Sequence, residues 1–202
     1  LKFSNRSGYN KLTNFLDQRR NSNNTNVDLV NKIINDVKKN KLKALKKYEK
    51  KYSKNKEIKL SKKKINNSIK YLDKNVKKAI DYAYERIFKF HKLQIKNFKK
   101  IKFVDKYKNK LEYKSIPIDS VGVYVPGNLP STLLMNCIPA KIAGVRRIIL
   151  ATPKINNTLN PAVLYAAKKL GIKEIFSMGG AQAIASLAFI QKVNKVVGPG
   201  NK

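Results

Sequence analysis

The chain predicts an α/β fold, an N-terminal helical segment followed by a lobe built on a parallel sheet. Three observations carry that prediction. Apolar residues recur at three- and four-residue steps through the first half. Beyond Ile118 the pattern becomes strand, Gly/Pro turn and helix, repeated. The strands of that second half are apolar throughout rather than alternating, as expected when helices cover both faces of a parallel sheet.

Taken in order, residues 1–25 are polar and end in the Asn-rich run Asn21–Thr25, which reads as an arm or loop. Val27, Val30, Ile33, Ile34 and Val37 then keep helical spacing, as do Leu42, Leu45, Tyr48 and Tyr52. Ser61 is placed to cap a helix carrying Ile65, Ile69 and Leu72. Asp73 is placed to cap another, whose stripe is Val76, Ile80, Ala83, Ile87 and Phe90, with lysines on the opposite face. From Ile101 to Pro117 the period shortens. Ile101 with Phe103, and Leu111 with Tyr113, fit the two strands of a hairpin around Lys108-Asn109. Strands follow at 119–125, 147–151, 174–177 and 195–197, with helices near 130–143, 158–170 and 181–190 between them. The chain thus divides into a polar arm (1–25), a basic and mainly helical region (26–116), and an α/β lobe on a parallel sheet (117–202).

With 42% hydrophobic residues the chain can bury a core, so global disorder is excluded despite a mean hydropathy of -0.46. Of the net charge of +33, about +25 lies in residues 1–114, where a charge of that size attracts anionic partners without specifying a fold. Lysine supplies nearly all of it, and Arg stands only at 6, 19, 20, 86, 146 and 147. Surfaces evolved for nucleic acid lean on the bidentate geometry of Arg. The abundance of Lys, Asn and Ile instead fits drift onto residues of A/T-only codons, and no specific nucleic-acid partner is expected. Cys137 is the single cysteine, so no internal disulfide forms. Neither a signal peptide nor a run of the roughly 18 apolar residues of a membrane span is visible, and a cytoplasmic protein is expected. The chain opens without Met and stops at Lys202 inside its last glycine segment, which reads as a fragment.

Four segments end predicted strands: Val121–Gly127, Ile148–Pro153, Ile175–Gln182 and Val196–Asn201. Strand ends of a parallel sheet gather along one edge, where such folds bind small ligands. Gly179-Gly180-Ala181-Gln182 opens a helix, whose N-terminus favours an anion such as a pyrophosphate; the other reading of the glycines is tight helix–strand packing. Asn201 in Gly198-Pro199-Gly200-Asn201 can donate to and accept from a ribose or amide, or serve as a helix cap. Tyr124 can stack on a flat ring, or stand as a half-buried strand-end aromatic. Neither GxGxxG nor GxxxxGK[ST] occurs. His91 is the sole histidine and Cys137 lies among apolar residues, so neither a metal site nor a nucleophile is indicated, and no catalytic or metal-ligating residue is assigned.

These segments, together with Leu133–Val145, resemble the histidinol dehydrogenase family in order and nearly in spacing. Ala44–Tyr48 and Ile87–His91 look like that family's early helices, and the resemblance runs through residues 26–202. It implies an NAD-dependent, zinc-requiring enzyme that oxidises L-histidinol to L-histidine through L-histidinal, is built from Rossmann-like lobes (here 117–202), works as a homodimer, and ends histidine biosynthesis. By motif matching, Tyr124, Gln182 and Asn201 fall on the family's NAD-contacting positions. In the family the zinc ligands, a Glu–His pair for proton transfer and most of the substrate pocket follow the Gly-Pro-Gly-Asn segment. This chain would therefore carry the NAD-binding portion of the enzyme. The alternative is a non-catalytic remnant or binding module. After Pro126-Gly127 the chain reads Asn128-Leu129-Pro130-Ser131-Thr132, a few residues shorter than the family's loop.

Overall fold

The computed structural model describes residues 6–21, 27–95, 100–155 and 157–199. Helices come first: α1 (Arg6–Asn21), α2 (Val27–Ser53), α3 (Lys62–Lys70) and α4 (Lys74–Ile95). The hairpin strands β1 (Ile101–Val104) and β2 (Lys110–Tyr113) follow. The remainder alternates as β3 (Ser120–Tyr124), α5 (Pro130–Ile142), β4 (Arg147–Thr152), α6 (Pro161–Lys169), β5 (Glu174–Ser177), α7 (Gly180–Phe189) and β6 (Lys195–Val197).

β3 to β6 form one parallel sheet in the order β5-β4-β3-β6. Successive side chains of a strand point to opposite faces, and here both faces are apolar. Val121, Val123, Leu150 and Ile175 pack with α3, α4, α5 and α6 on one side. Ile149, Ala151 and Phe176 pack with Leu45 of α2 and Leu187 of α7 on the other. Each fully buried Leu or Ile contributes about 1.5–3 kcal/mol, so the strands hold only while both helical layers are in place.

The N-terminal helices are part of that sandwich. Asp28 in the first turn of α2, and Lys50 and Lys51 in its last, complement the helix dipole. Lys41 breaks the helical geometry midway (φ 49°, ψ -125°), so α2 is two helices joined at a kink. Asp36 staples the halves, accepting from Asn40 Nδ2 at 2.7 Å on its own side and from Lys47 Nζ and Tyr48 Oη at 2.9 Å across the kink. These donors hold the Asp36 carboxyl down at about 2. Ile33, Val37, Ala44 and Tyr48 seat both halves against α7. Past α2, residues 58–60 run along β5, with Ser177 N–H donating to the Ile58 carbonyl and Leu60 N–H to the Ile175 carbonyl.

Ser61 and Asp73 cap α3 and α4 as expected, Ser61 Oγ accepting from Lys64 N–H and Asp73 Oδ1 from the N–H groups of Asn75 and Val76. Three expectations need correction. The stretch read as an arm or loop is helical over Arg6–Asn21; Tyr9, Leu12 and Leu16 sit at helical spacing within its polar composition. The remainder of that arm, 1–5 and 22–25, lies outside the described residues. α6 starts at Pro161 rather than 158, because Asn160 caps it (Ala162 N–H to Oδ1, 2.8 Å) and a turn joins Ile155 to Thr158. On α4, Ile80 is buried, but Phe90 is 59% exposed and Val76 39%. α4 lies outside α5 and α6, so only the middle of its apolar stripe finds a surface to cover.

The expected hairpin forms, antiparallel, with Ile101 opposite Tyr113 and Phe103 opposite Leu111, and its turn runs from Asp105 to Asn109 rather than centring on Lys108-Asn109. Both strands are exposed along their whole length.

Cys137 on α5 is enclosed among Leu133, Leu134 and Ile138, and burial pushes its thiol up to about 12. Native protein at pH 8 should therefore resist alkylation by iodoacetamide and label only in guanidinium, as mass spectrometry will read; complete native labelling within minutes would contradict the packing. In urea unfolding, Ile80→Ala should cost about 2–4 kcal/mol. Phe90→Ala should cost under about 1 kcal/mol, and equal losses would place Phe90 in the core.

Candidate functional site

The polar side chains at the opposite edge of the sheet set its alignment. Arg147 at the start of β4 donates to both carboxylate oxygens of Glu174 (2.8 and 2.9 Å) and to the Gln191 carbonyl (2.8 Å), tying β4, β5 and the exit of α7 together. The carboxylate raises the Arg147 pKa, and the guanidinium lowers that of Glu174. Asn194 Oδ1 accepts from Ser120 N–H and Oγ–H, fixing β6 beside β3. With those ends pinned, the strands deliver their C-terminal residues to one place.

The strand order reverses at β3: β4 and β5 lie on one side of it and β6 on the other. That switch point opens a crevice at the C-terminal ends of β3 and β6, the usual ligand position in open α/β sheets. A cleft of about 350 Å³ lies there, walled by Tyr124, by Gly180, Ala181 and Ile184 of α7, by Val196–Pro199, and by Val30 of α2. Its size is at the small end of ligand sites, which span about 300–1,000 Å³. Two backbone features shape it. Gly198 has φ +140°, and a β-carbon there would stand 2.1 Å from the Tyr124 carbonyl oxygen. Gly180 has φ +62°, and a β-carbon there would stand 3.0 Å from Gln182 Oε1. A side chain at Gly198 would push the turn after β6 away from β3, and one at Gly180 would crowd Gln182.

The predicted site residues fare differently. Tyr124, half-buried at the end of β3, lines the cleft. Gln182 opens α7 beside it but is 3% exposed and turned inward, its Nε2–H donating to Glu49 Oε1 at 3.0 Å. Asn201 lies outside the described residues. The same Glu49 oxygen accepts the Gly179 N–H at 3.0 Å. The place expected for a ligand's anionic group at the start of α7 is therefore held by a carboxylate of the protein itself, favoured there by the free N–H groups and the helix dipole. Gly179 serves packing, since a β-carbon on it would come within 2.8 Å of Pro153 Cβ.

Glu49 was not among the residues singled out in the sequence. A signal for it exists: it stands four residues after Leu45, a carboxylate on the buried face of an amphipathic helix. Just past the end of α2 a second polar contact ties the chain to the sheet edge. Buried Asn55 donates to the Ser177 carbonyl (2.6 Å) and accepts from Lys154 Nζ (2.8 Å). The shortened loop is a tight turn, Leu129 N–H donating to the Pro126 carbonyl at 3.2 Å, and it feeds straight into α5.

Among the described residues no acid–base chemistry is assembled in the cleft. His91 stands on α4, its Nδ1 2.6 Å from Gln94 Oε1, and Cys137 is in the core. Among the described residues no three His, Cys, Asp or Glu side chains gather as metal ligands, and no helix is long and apolar enough to cross a membrane.

Comparison with known proteins accounts for this set of parts. The histidinol dehydrogenase family model matches residues 16–202. The histidinol dehydrogenase of Pelagibacter ubique is 54% identical over 193 residues, covering 92% of this chain and 45% of the relative. That of Caldanaerobacter subterraneus is 41% identical over 185 residues, covering 85% and 42%. The crystal structure of histidinol dehydrogenase from Elizabethkingia anophelis superposes with a TM-score of 0.79 at 35% identity, over 88% of this chain and 43% of that one. The chain thus spans less than half the length of the relatives it matches. On the extent of the match and on the shared fold, it belongs to the histidinol dehydrogenase family.

Proposed function

We propose that this chain is the NAD-binding portion of an enzyme that oxidises L-histidinol to L-histidine through L-histidinal. The observation that carries the reading is the crevice at the β3/β6 switch point, lined by two glycines at positive φ, of which Gly198 lets the turn after β6 close on the Tyr124 carbonyl. NAD would sit there with its approach eased by the bare backbone at Gly180 and Gly198, Tyr124 offering a ring face and Gln182 a polar contact; Asn201, the third position that the resemblance assigns, lies outside the described residues. When bound, NAD would supply the hydride acceptor. The described residues of the cleft bind and orient it, and none of them is placed to move a proton.

Zinc is a different matter. The described residues bring no ligand set together, so no step is derived through the metal, and zinc belongs to the reading of the whole enzyme only. The same holds for the homodimer. It is favoured by the exposed apolar hairpin, on which Ile101, Phe103, Leu111 and Tyr113 are each more than half exposed, because such a ribbon is marginal alone in water. A cytoplasmic location, as for a biosynthetic enzyme, is part of the same proposal.

Titration of the 202-residue chain with NAD, followed calorimetrically, should show saturable binding, and its absence would remove the reading. Gly198→Ala should weaken that binding at least tenfold, because the new β-carbon meets the Tyr124 carbonyl; unchanged affinity would move the site elsewhere. The isolated chain should turn over no histidinol with NAD and zinc supplied, and measurable NADH production would refute the division of labour proposed here.

A further inference from the structure

Glu49 is costly to the fold in a way that packing does not explain. It is 1% exposed, and while its Oε1 accepts two hydrogen bonds, its Oε2 meets no donor among the described residues. Burying a carboxylate with half its acceptors unused is unfavourable. An apolar side chain would serve the contact of α2 with α7 as well, as Leu45 and Tyr48 do on either side of it. What only an acceptor can do here is choose the orientation of the Gln182 amide. A carboxylate cannot donate, so the amide must turn its Nε2 toward Glu49 and its Oε1 away. That Oε1 faces Gly180, a wall of the cleft, and takes no hydrogen bond from the described residues; nor is it one of the enclosed unpartnered atoms of the fold. Gly180 lines the cleft, and a β-carbon on it would come within 3.0 Å of that oxygen.

We propose that Glu49 is a positioning residue, which locks the Gln182 amide so that its Oε1 meets the cofactor as a hydrogen-bond acceptor across Gly180. The ligand group received there is a donor, a hydroxyl or an amide N–H, and not an anion, whose place at the start of α7 Glu49 itself fills. The proposal rests on the reading of the cleft as an NAD site.

A double-mutant cycle on the 202-residue chain tests it, with NAD affinity from calorimetry and thermal midpoint from circular dichroism. Glu49→Leu should keep or raise the midpoint while weakening NAD binding about five- to tenfold, the worth of one hydrogen bond. Gln182→Ala should weaken binding similarly, and the double variant should lose no more than either single change. Glu49→Gln, which keeps an acceptor oxygen for both donors, should stay within about twofold of the parent. Wild-type affinity in Glu49→Leu beside a loss in Gln182→Ala would overturn the positioning role and leave the NAD reading intact. Wild-type affinity in Gln182→Ala would remove Gln182 as a contact and the proposal with it. Losses that add would show Glu49 acting apart from Gln182, and overturn it too. Glu49→Met repeats the test should the Leu variant fail to fold; failure of both would make Glu49 a structural residue and end the proposal.

Discussion

A parallel sheet buried on both faces needs two helical layers, and in this chain that requirement organises everything else. Val123 on β3 and Ile149 and Leu150 on β4 are wholly buried, yet they point to opposite sides. α5 and α6 cover one side within the alternating part of the chain. The other side receives only α7 from that part, and ten residues cannot shield four strands. α2 completes the layer. Its 27 residues, its kink and the Asp36 staple across that kink follow from having to lie along α7 and still reach the end of β5. The basic N-terminal part is therefore a structural half of the sheet's cover, and its lysines are the outward faces of helices whose inward faces are apolar.

That dependence separates what was legible in the sequence from what was not. Strands and helices after Ile118 could be read because each is bounded by its own Gly, Pro or cap and needs no partner to be recognised: Pro130 opens α5, and Gly144 at φ +90° follows it. Ser61 and Asp73 were legible for the same local reason. The exposed ends of the α4 stripe were not. Val76 and Phe90 keep the periodicity of a buried face, and only the finite extent of α5 and α6 decides that they stay uncovered. α1 escaped notice because composition spoke louder than spacing: Tyr9, Leu12 and Leu16 are a short stripe within an Asn- and Arg-rich segment.

At the site the same division recurs one level down. Tyr124 and Gly198 announce themselves, since a strand end and a glycine turn are local features, and the structure brings them into contact. Gln182 stands in the first turn of α7, as the sequence indicates, but the direction of its side chain depends on a residue 133 positions away. A helix N-terminus in isolation invites a phosphate, and the glycine pair before α7 reads that way from sequence alone. The fold answers the invitation internally. Once Glu49 accepts the Gly179 N–H, the charge a ligand would bring there is already present, and a second anion would be repelled rather than held.

The two glycines of the crevice then acquire distinct roles that composition could not separate. Gly198 lets two backbones touch, which fixes how close the turn after β6 comes to the end of β3 and so sets the width of the cleft. Gly180 keeps one wall bare, so that an atom behind it, Gln182 Oε1, remains within reach. Width comes from β3 and β6, which belong to the sheet. The orientation of the amide comes from α2, which belongs to the helical part. A ligand in this crevice therefore meets both halves of the chain at once: its grip on the sheet is backbone shape, and its polar recognition is set through a carboxylate supplied by the layer that the sheet required in the first place.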